Sequence, residues 1–101
     1  MAVVVMLEWP GMTKVQYDKL LDLVNWDLDL PKGELFHIAW WESDTMSIVD
    51  LWESSADWQR FFDERVAPAF AAAGINGTPD PQIHEAYRYV NTESVRRSDF
   101  F

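Results

Sequence analysis

Residues Leu35–Trp58 read LFHIAWWESDTMSIVDLWESSADW. Two runs rich in β-branched and aromatic residues, Glu34–Glu42 and Met46–Glu53, flank the turn-forming Ser43-Asp44-Thr45, which is the pattern of a hairpin. The hairpin feeds straight into a helix start. Ser54 or Ser55 supplies the capping oxygen, and Asp57 suits the positive end of the helix dipole in the first turn. Inside this otherwise apolar stretch stand His37 and Asp50, ionisable groups that are costly to bury unless a partner satisfies or uses them.

Upstream, Ala2–Glu8 (AVVVMLE) is a continuous β-branched run, as expected of a strand covered on both faces. Pro10-Gly11 breaks it, and Thr13 with Gln16 three residues later forms a capping-box signature. The helix that follows runs to about Val24. Its apolar positions Tyr17, Leu20, Leu21 and Val24 recur at helical spacing, opposite Lys14, Asp18, Lys19 and Asp22. Asn25–Gly33 has turn residues and no sustained period, so it reads as a loop.

Downstream of the hairpin, Trp58, Phe61, Phe62, Val66, Ala69 and Ala73 form the apolar stripe of a second helix. Pro68 should kink it, having no N–H to donate, and Gly74 suits the left-handed residue that ends it. After the loop Ile75–Pro81, Gln82–Asn91 reads as the last strand, with Tyr87 and Tyr89 on one face. The order is β-α-β-β-α-β, the split pattern of a ferredoxin-like fold in the α+β class: a four-stranded antiparallel sheet with two helices on one face. The other sheet face is also apolar. Two copies pressing these faces together bury it, so a homodimer is expected.

At 101 residues the chain is expected to be one domain over residues 1–91, with 92–101 as a C-terminal tail that is mobile or docks on the partner. Eight Lys+Arg against 17 Asp+Glu give a net charge of −9, which argues against nucleic acid and anionic membrane as partners. With no cysteine there is no thiolate nucleophile, disulfide or Cys-based zinc site. The apolar run Ala2–Leu7 is too short to span a membrane, and a cytoplasmic location is expected. Aromatic residues make up 15% of the chain. They fill a core and an interface, or they line a cavity for a flat apolar ligand.

With that element order, and with LWESSADWQRFFDERVAPAFAAAG over Leu51–Gly74, the chain resembles the dimeric α+β barrel superfamily. That superfamily includes the antibiotic-biosynthesis monooxygenase-like domains and the haem-degrading monooxygenases. The resemblance lies in the Trp-acidic-Ser step at the end of the third strand, the aromatic second helix and its Pro68-to-Gly74 ending. It covers about residues 2–91 and implies the dimeric barrel. The haem-degrading branch places an axial histidine on the second helix and an Asn on the first strand. Neither is present here, Phe61 and Ala71 standing roughly where the Trp and His of that branch would lie, so haem degradation is not expected. The cofactor-independent, quinone-forming branch surrounds a polycyclic phenol with Trp, Asn, Tyr and Arg, and Trp52, Trp58, Tyr87 and Arg88 offer three of these residue types.

If the turn sets Trp52 opposite His37, alternation puts His37, Ala39, Trp41, Ile48, Asp50 and Trp52 on one sheet face. Phe36, Ile38, Trp40, Val49 and Leu51 then form the packing face. The first set is the composition of a small-ligand pocket, with His37 as general base or acid and Asp50 as its orienter. The alternative is that the two bond to each other only to satisfy burial. Trp41, Trp52, Trp58 and Phe61 are the candidate ligand-binding rings. Arg65 is a clamp for an anionic group, or else a partner for Asp50 or Glu53. His84 reads as an exposed edge residue. The histidine spacing makes no metal site, and no cofactor is expected. The reading is a homodimer with a sheet–helix cleft for a hydrophobic, aromatic small molecule, either a cofactor-independent monooxygenase-like or cyclase-like enzyme or a non-catalytic ligand-binding, structural or stress-related dimer. An open cavity of a few hundred Å3 at His37 favours the enzyme; a closed core favours the alternative.

Overall fold

The computed structural model describes residues 1–77 and 79–90. Strand β1 (Val3–Pro10) leads to helix α1 (Lys14–Val24), the hairpin β2 (Glu34–Glu42) and β3 (Thr45–Trp52), helices α2 (Ser55–Phe61) and α3 (Phe70–Ala73), and strand β4 (Gln82–Glu85). The four strands form one antiparallel sheet in the order β2-β3-β1-β4. This is the ferredoxin-like α+β arrangement, with β3 and β1 central. Among the described residues no helix is long and apolar enough to cross a membrane.

Local chemistry fixes each helix. The Thr13 hydroxyl accepts from the Gln16 N–H at 3.1 Å while the Gln16 side chain accepts from the Thr13 N–H at 3.0 Å. The Ser54 hydroxyl accepts from the Asp57 N–H at 3.1 Å. Pro68 cannot donate to an α-ladder, and around it the helix widens into a π turn (Phe62–Val66), then tightens into a 3-10 turn (Ala67–Ala69) before α3. Gly74, at φ 72°, ends the run.

Alternation along the central strands sets the core. Val3, Val5, Leu7 and Trp9 of β1, with Met46, Ile48 and Trp52 of β3, are buried under Leu20, Val24, Trp58, Phe61 and Val66 of the helices. Asp50 lies in the same buried row, 3% exposed. The opposite sheet face bears Met6, Phe36, Ile38 and Trp40, each between 39% and 52% exposed.

Two expectations need correction. The hairpin turn holds two residues rather than three: Glu42 pairs with Thr45, and Ser43 takes the left-handed conformation at φ 55°. The expected pair His37–Trp52 would have left four residues, 43–46, in the turn; His37 instead stands opposite Asp50, and a bulge at Leu35 sets Glu34 opposite Trp52. The slip is two residues, the side-chain period of a strand, so every residue keeps its face. The last strand is also shorter than Gln82–Asn91. It pairs only with Val3–Met6 of β1, and beyond the Val3–Glu85 pair one more backbone bond, from the Ala86 N–H to the Ala2 carbonyl at 2.9 Å, closes the ladder. Tyr87 and Tyr89 lie beyond it, exposed. Asn91 and the tail 92–101 lie outside the described residues.

Candidate functional site

The sheet face under the helices brings four polar groups into one chain of contacts. His37 and Asp50 are cross-strand neighbours, with Nδ1 2.5 Å from Oδ1. The other Asp50 oxygen accepts the Trp52 indole N–H at 3.3 Å. On the far side of the imidazole, Nε2 meets the Tyr17 hydroxyl of α1 at 2.7 Å. Burial, reinforced by the nearby Asp50 charge, pushes the Tyr17 phenol up to about 12, so it keeps its proton near neutrality and donates to Nε2. The imidazole then carries its hydrogen on Nδ1 and donates to Asp50, an assignment inferred from the network of partners. The result is an oriented relay, Tyr17 to His37 to Asp50, braced by Trp52.

A second set of contacts roofs the imidazole. The Trp26 ring of the 25–33 loop lies 4.6 Å from His37 and 4.9 Å, edge on, from Phe61. Its N–H reaches the Glu34 carboxylate at 2.8 and 3.1 Å. Burial pushes the Glu34 carboxyl up, and the Trp26 hydrogen bond opposes the shift. Under this roof a cavity of about 40 Å3 extends from Tyr17, His37, Asp50 and Trp26 to Trp58, Phe61 and Val66. Its remaining walls are apolar. The space suits a few small molecules and is too small for a fused-ring ligand.

The candidate residues separate accordingly. His37, Asp50, Trp58 and Phe61 line the cavity. Trp52 does not: it is fully buried behind Asp50 and packs 5.5 Å from Phe61. Trp41 stands outside too, donating its N–H to the Met12 carbonyl at 2.8 Å with its ring edge on to Tyr17. Arg65 is no free clamp, and it meets neither Asp50 nor Glu53. Its Nη2 donates to the carbonyls of Val24 at 2.5 Å and Asp29 at 2.8 Å, because the 25–33 loop lays these carbonyls across its path. The guanidinium rests 5.1 Å over Phe61. Tyr87 and Arg88 do not line the cavity, and His84 is exposed on the edge strand β4. Among the described residues no group of three or more His, Asp or Glu could hold a metal ion.

Sequence reasoning missed Tyr17, Trp26 and Glu34. Tyr17 had a usable signal: a tyrosine on the core-facing stripe of a helix needs a partner for its hydroxyl. Trp26 had none, since its loop shows no period.

No family model matches the chain, and no curated protein sequence matches it. Solved structures do share its fold. A monooxygenase from the Streptomyces coelicolor gene ActVA-Orf6, determined with nanaomycin D, is 19% identical with a TM-score of 0.60, covering 89% of this chain and 91% of its own. SnoaB, a cofactor-independent oxygenase from Streptomyces nogalater, is 11% identical with a TM-score of 0.61, covering 88% and 95%. A Chloroflexus aurantiacus protein carrying the name of an antibiotic biosynthesis monooxygenase is 13% identical with a TM-score of 0.63, covering 90% and 98%. Likeness at these identities establishes the architecture and leaves the chemistry to the residues.

Proposed function

We propose that this chain, which has the ferredoxin-like fold of antibiotic-biosynthesis monooxygenase-like proteins, is a homodimeric cofactor-independent oxygenase acting in the cytoplasm on a flat aromatic phenol or enol held between sheet and helices. The observation that carries this reading is the Tyr17–His37–Asp50 relay at the wall of an otherwise apolar cavity. The substrate hydroxyl gives its proton to the Tyr17 oxygen as the Tyr17 proton passes to His37 Nε2. Tyr17 thus never stands as a free phenolate, in keeping with its high pKa. Asp50 holds the imidazole in the accepting tautomer and stabilises the imidazolium that forms. The phenolate left behind is electron-rich enough to react with dioxygen itself: one oxygen atom enters the ring to give a quinone, and the other leaves as water.

Dimerisation is part of this reading. The apolar face of Met6, Phe36, Ile38 and Trp40 covers the open side of the sheet, and a second copy of the same face is its natural cover.

The test is turnover of 1,5-dihydroxynaphthalene in air with no added cofactor. One O2 should be consumed for each 5-hydroxy-1,4-naphthoquinone formed, and His37→Ala should lower the rate on the order of a hundredfold. No quinone, or the same rate from His37→Ala, contradicts the proposal. The small cavity and the mutual satisfaction of its polar groups favour a second reading, a non-catalytic dimer with a structural, stress-related or small-ligand role in which His37 and Asp50 only tie two strands together. That protein would give no quinone in the same assay.

A further inference from the structure

An indole occupies the space against the His37 ring. Trp26 belongs to no helix or strand, yet its ring packs against His37 and Phe61 and its N–H is held by Glu34. These are the contacts that a flat aromatic ligand with a donor group on its edge would make in the same place. The backbone on either side is tied down by Arg65, which holds the carbonyls of Val24 and Asp29. The Trp26 amide bonds the Leu21 carbonyl at 3.2 Å, and the Asp29 amide bonds that of Asn25 at 2.9 Å. A strapped loop keeps its place while a side chain on it turns. Two residues on in the same loop, Leu28 is 88% exposed, so the outer side of the loop is open to solvent.

We propose that Trp26 is a displaceable plug of the His37 site, latched by Glu34, whose rotation out of the cavity admits the ligand. This rests on the reading of the His37 face as a ligand site. Displacement exchanges like for like: the ring contacts and the donated hydrogen bond that Trp26 gives up are taken over by the incoming ring. Glu34 thereby selects for ligands that carry a donor. The plug lowers apparent affinity by the fraction of time the site is open.

The test is equilibrium binding of 1,5-dihydroxynaphthalene to the full-length protein under anaerobic conditions. Trp26→Ala should bind it about tenfold or more tightly than the wild type, because the closed population is removed. Glu34→Gln weakens the latch and the acceptor offered to the incoming ring alike, so its affinity should stay near that of the wild type. A 19F spectrum of protein carrying 5-fluorotryptophan gives an independent readout in the wild-type fold: the resonance assigned to Trp26 through Trp26→Phe should shift on saturation. Unchanged affinity in Trp26→Ala with an unmoved Trp26 resonance overturns the plug. His37→Ala in the Trp26→Ala background separates the two layers. Tightening by Trp26→Ala that persists undiminished without His37 upholds the plug and removes His37 from the site; wild-type binding that needs His37 but ignores Trp26 upholds the site and removes the plug.

Discussion

His37 and Asp50 stand directly opposite each other on β2 and β3, with Nδ1 2.5 Å from Oδ1, on the sheet face that the helices cover. Asp50 accepts from two donors there, the imidazole and the Trp52 indole. Asp50→Asn turns its NH2 group toward one of them and should cost about 1–3 kcal/mol, the penalty for stranding a buried donor. Replacing both members of the pair, as in His37→Phe with Asp50→Leu, should not recover that loss, since the buried Trp52 indole N–H and the Tyr17 hydroxyl are then left without their partners. Urea midpoints of the two variants check the sign of the difference.

Tyr17 makes stability depend on alkaline pH. Its folded pKa of about 12 lies above the ordinary phenol value of 10.0, chiefly through burial and next through the Asp50 charge. A raised folded pKa gives stability that is complete below the unfolded value and lost as pH climbs through the folded one. The urea midpoint should therefore decline between about pH 10 and pH 12, and Tyr17→Phe should flatten that decline. Tyrosinate absorbance should show one phenol ionising late, a component absent from Tyr17→Phe.

Gly33 holds the entry to β2 and hence the placement of Glu34 and His37. Gly11 and Gly33 share a left-handed backbone, at φ 81° and 88°. A Cβ on Gly11 meets nothing within 4 Å, whereas one on Gly33 falls 2.4 Å from Asp57 Oδ2 and 2.7 Å from Asp57 Cβ. Gly11→Ala should cost only the backbone strain, about 1–2 kcal/mol. Gly33→Ala should cost more, since Asp57 must shift as well. Equal thermal stability of the two variants would show that Asp57 yields freely.

The open sheet face gives a test of assembly. Trp40→Glu sets a charge among Phe36, Ile38 and Met6 without touching the helix side, where His37 lies. Wild-type protein should sediment as a dimer at micromolar concentration and the variant as a monomer. A wild-type monomer, or a variant dimer of undiminished stability, would remove this face from the interface.

What the sequence disclosed followed the range of the signal. The shared face of His37 and Asp50 was legible because alternation is local, and it survived a register misread by two residues, since a slip of two preserves every face. The capping pair Thr13–Gln16 was legible for the same reason, being closed within four residues, and the second cap was narrowed to Ser54 or Ser55, of which Ser54 accepts from the Asp57 N–H. Contacts spanning the fold were not. Tyr17 and His37 lie 20 residues apart, and Arg65 finds Val24 across 41. No local period announces either pair. The end of β4 was misread because its length depends on where β1 begins, which is a property of the partner strand.

The central claim is that a flat aromatic enters beside His37, and the chain's two histidines allow a direct test. Protein labelled with 13C in its histidine rings should show two ring signals, His37 inside the fold and His84 exposed on β4. Anaerobic titration with 1,5-dihydroxynaphthalene should move the His37 signal to saturation and leave that of His84 in place. A His37 signal unmoved while the protein binds the probe would contradict the account.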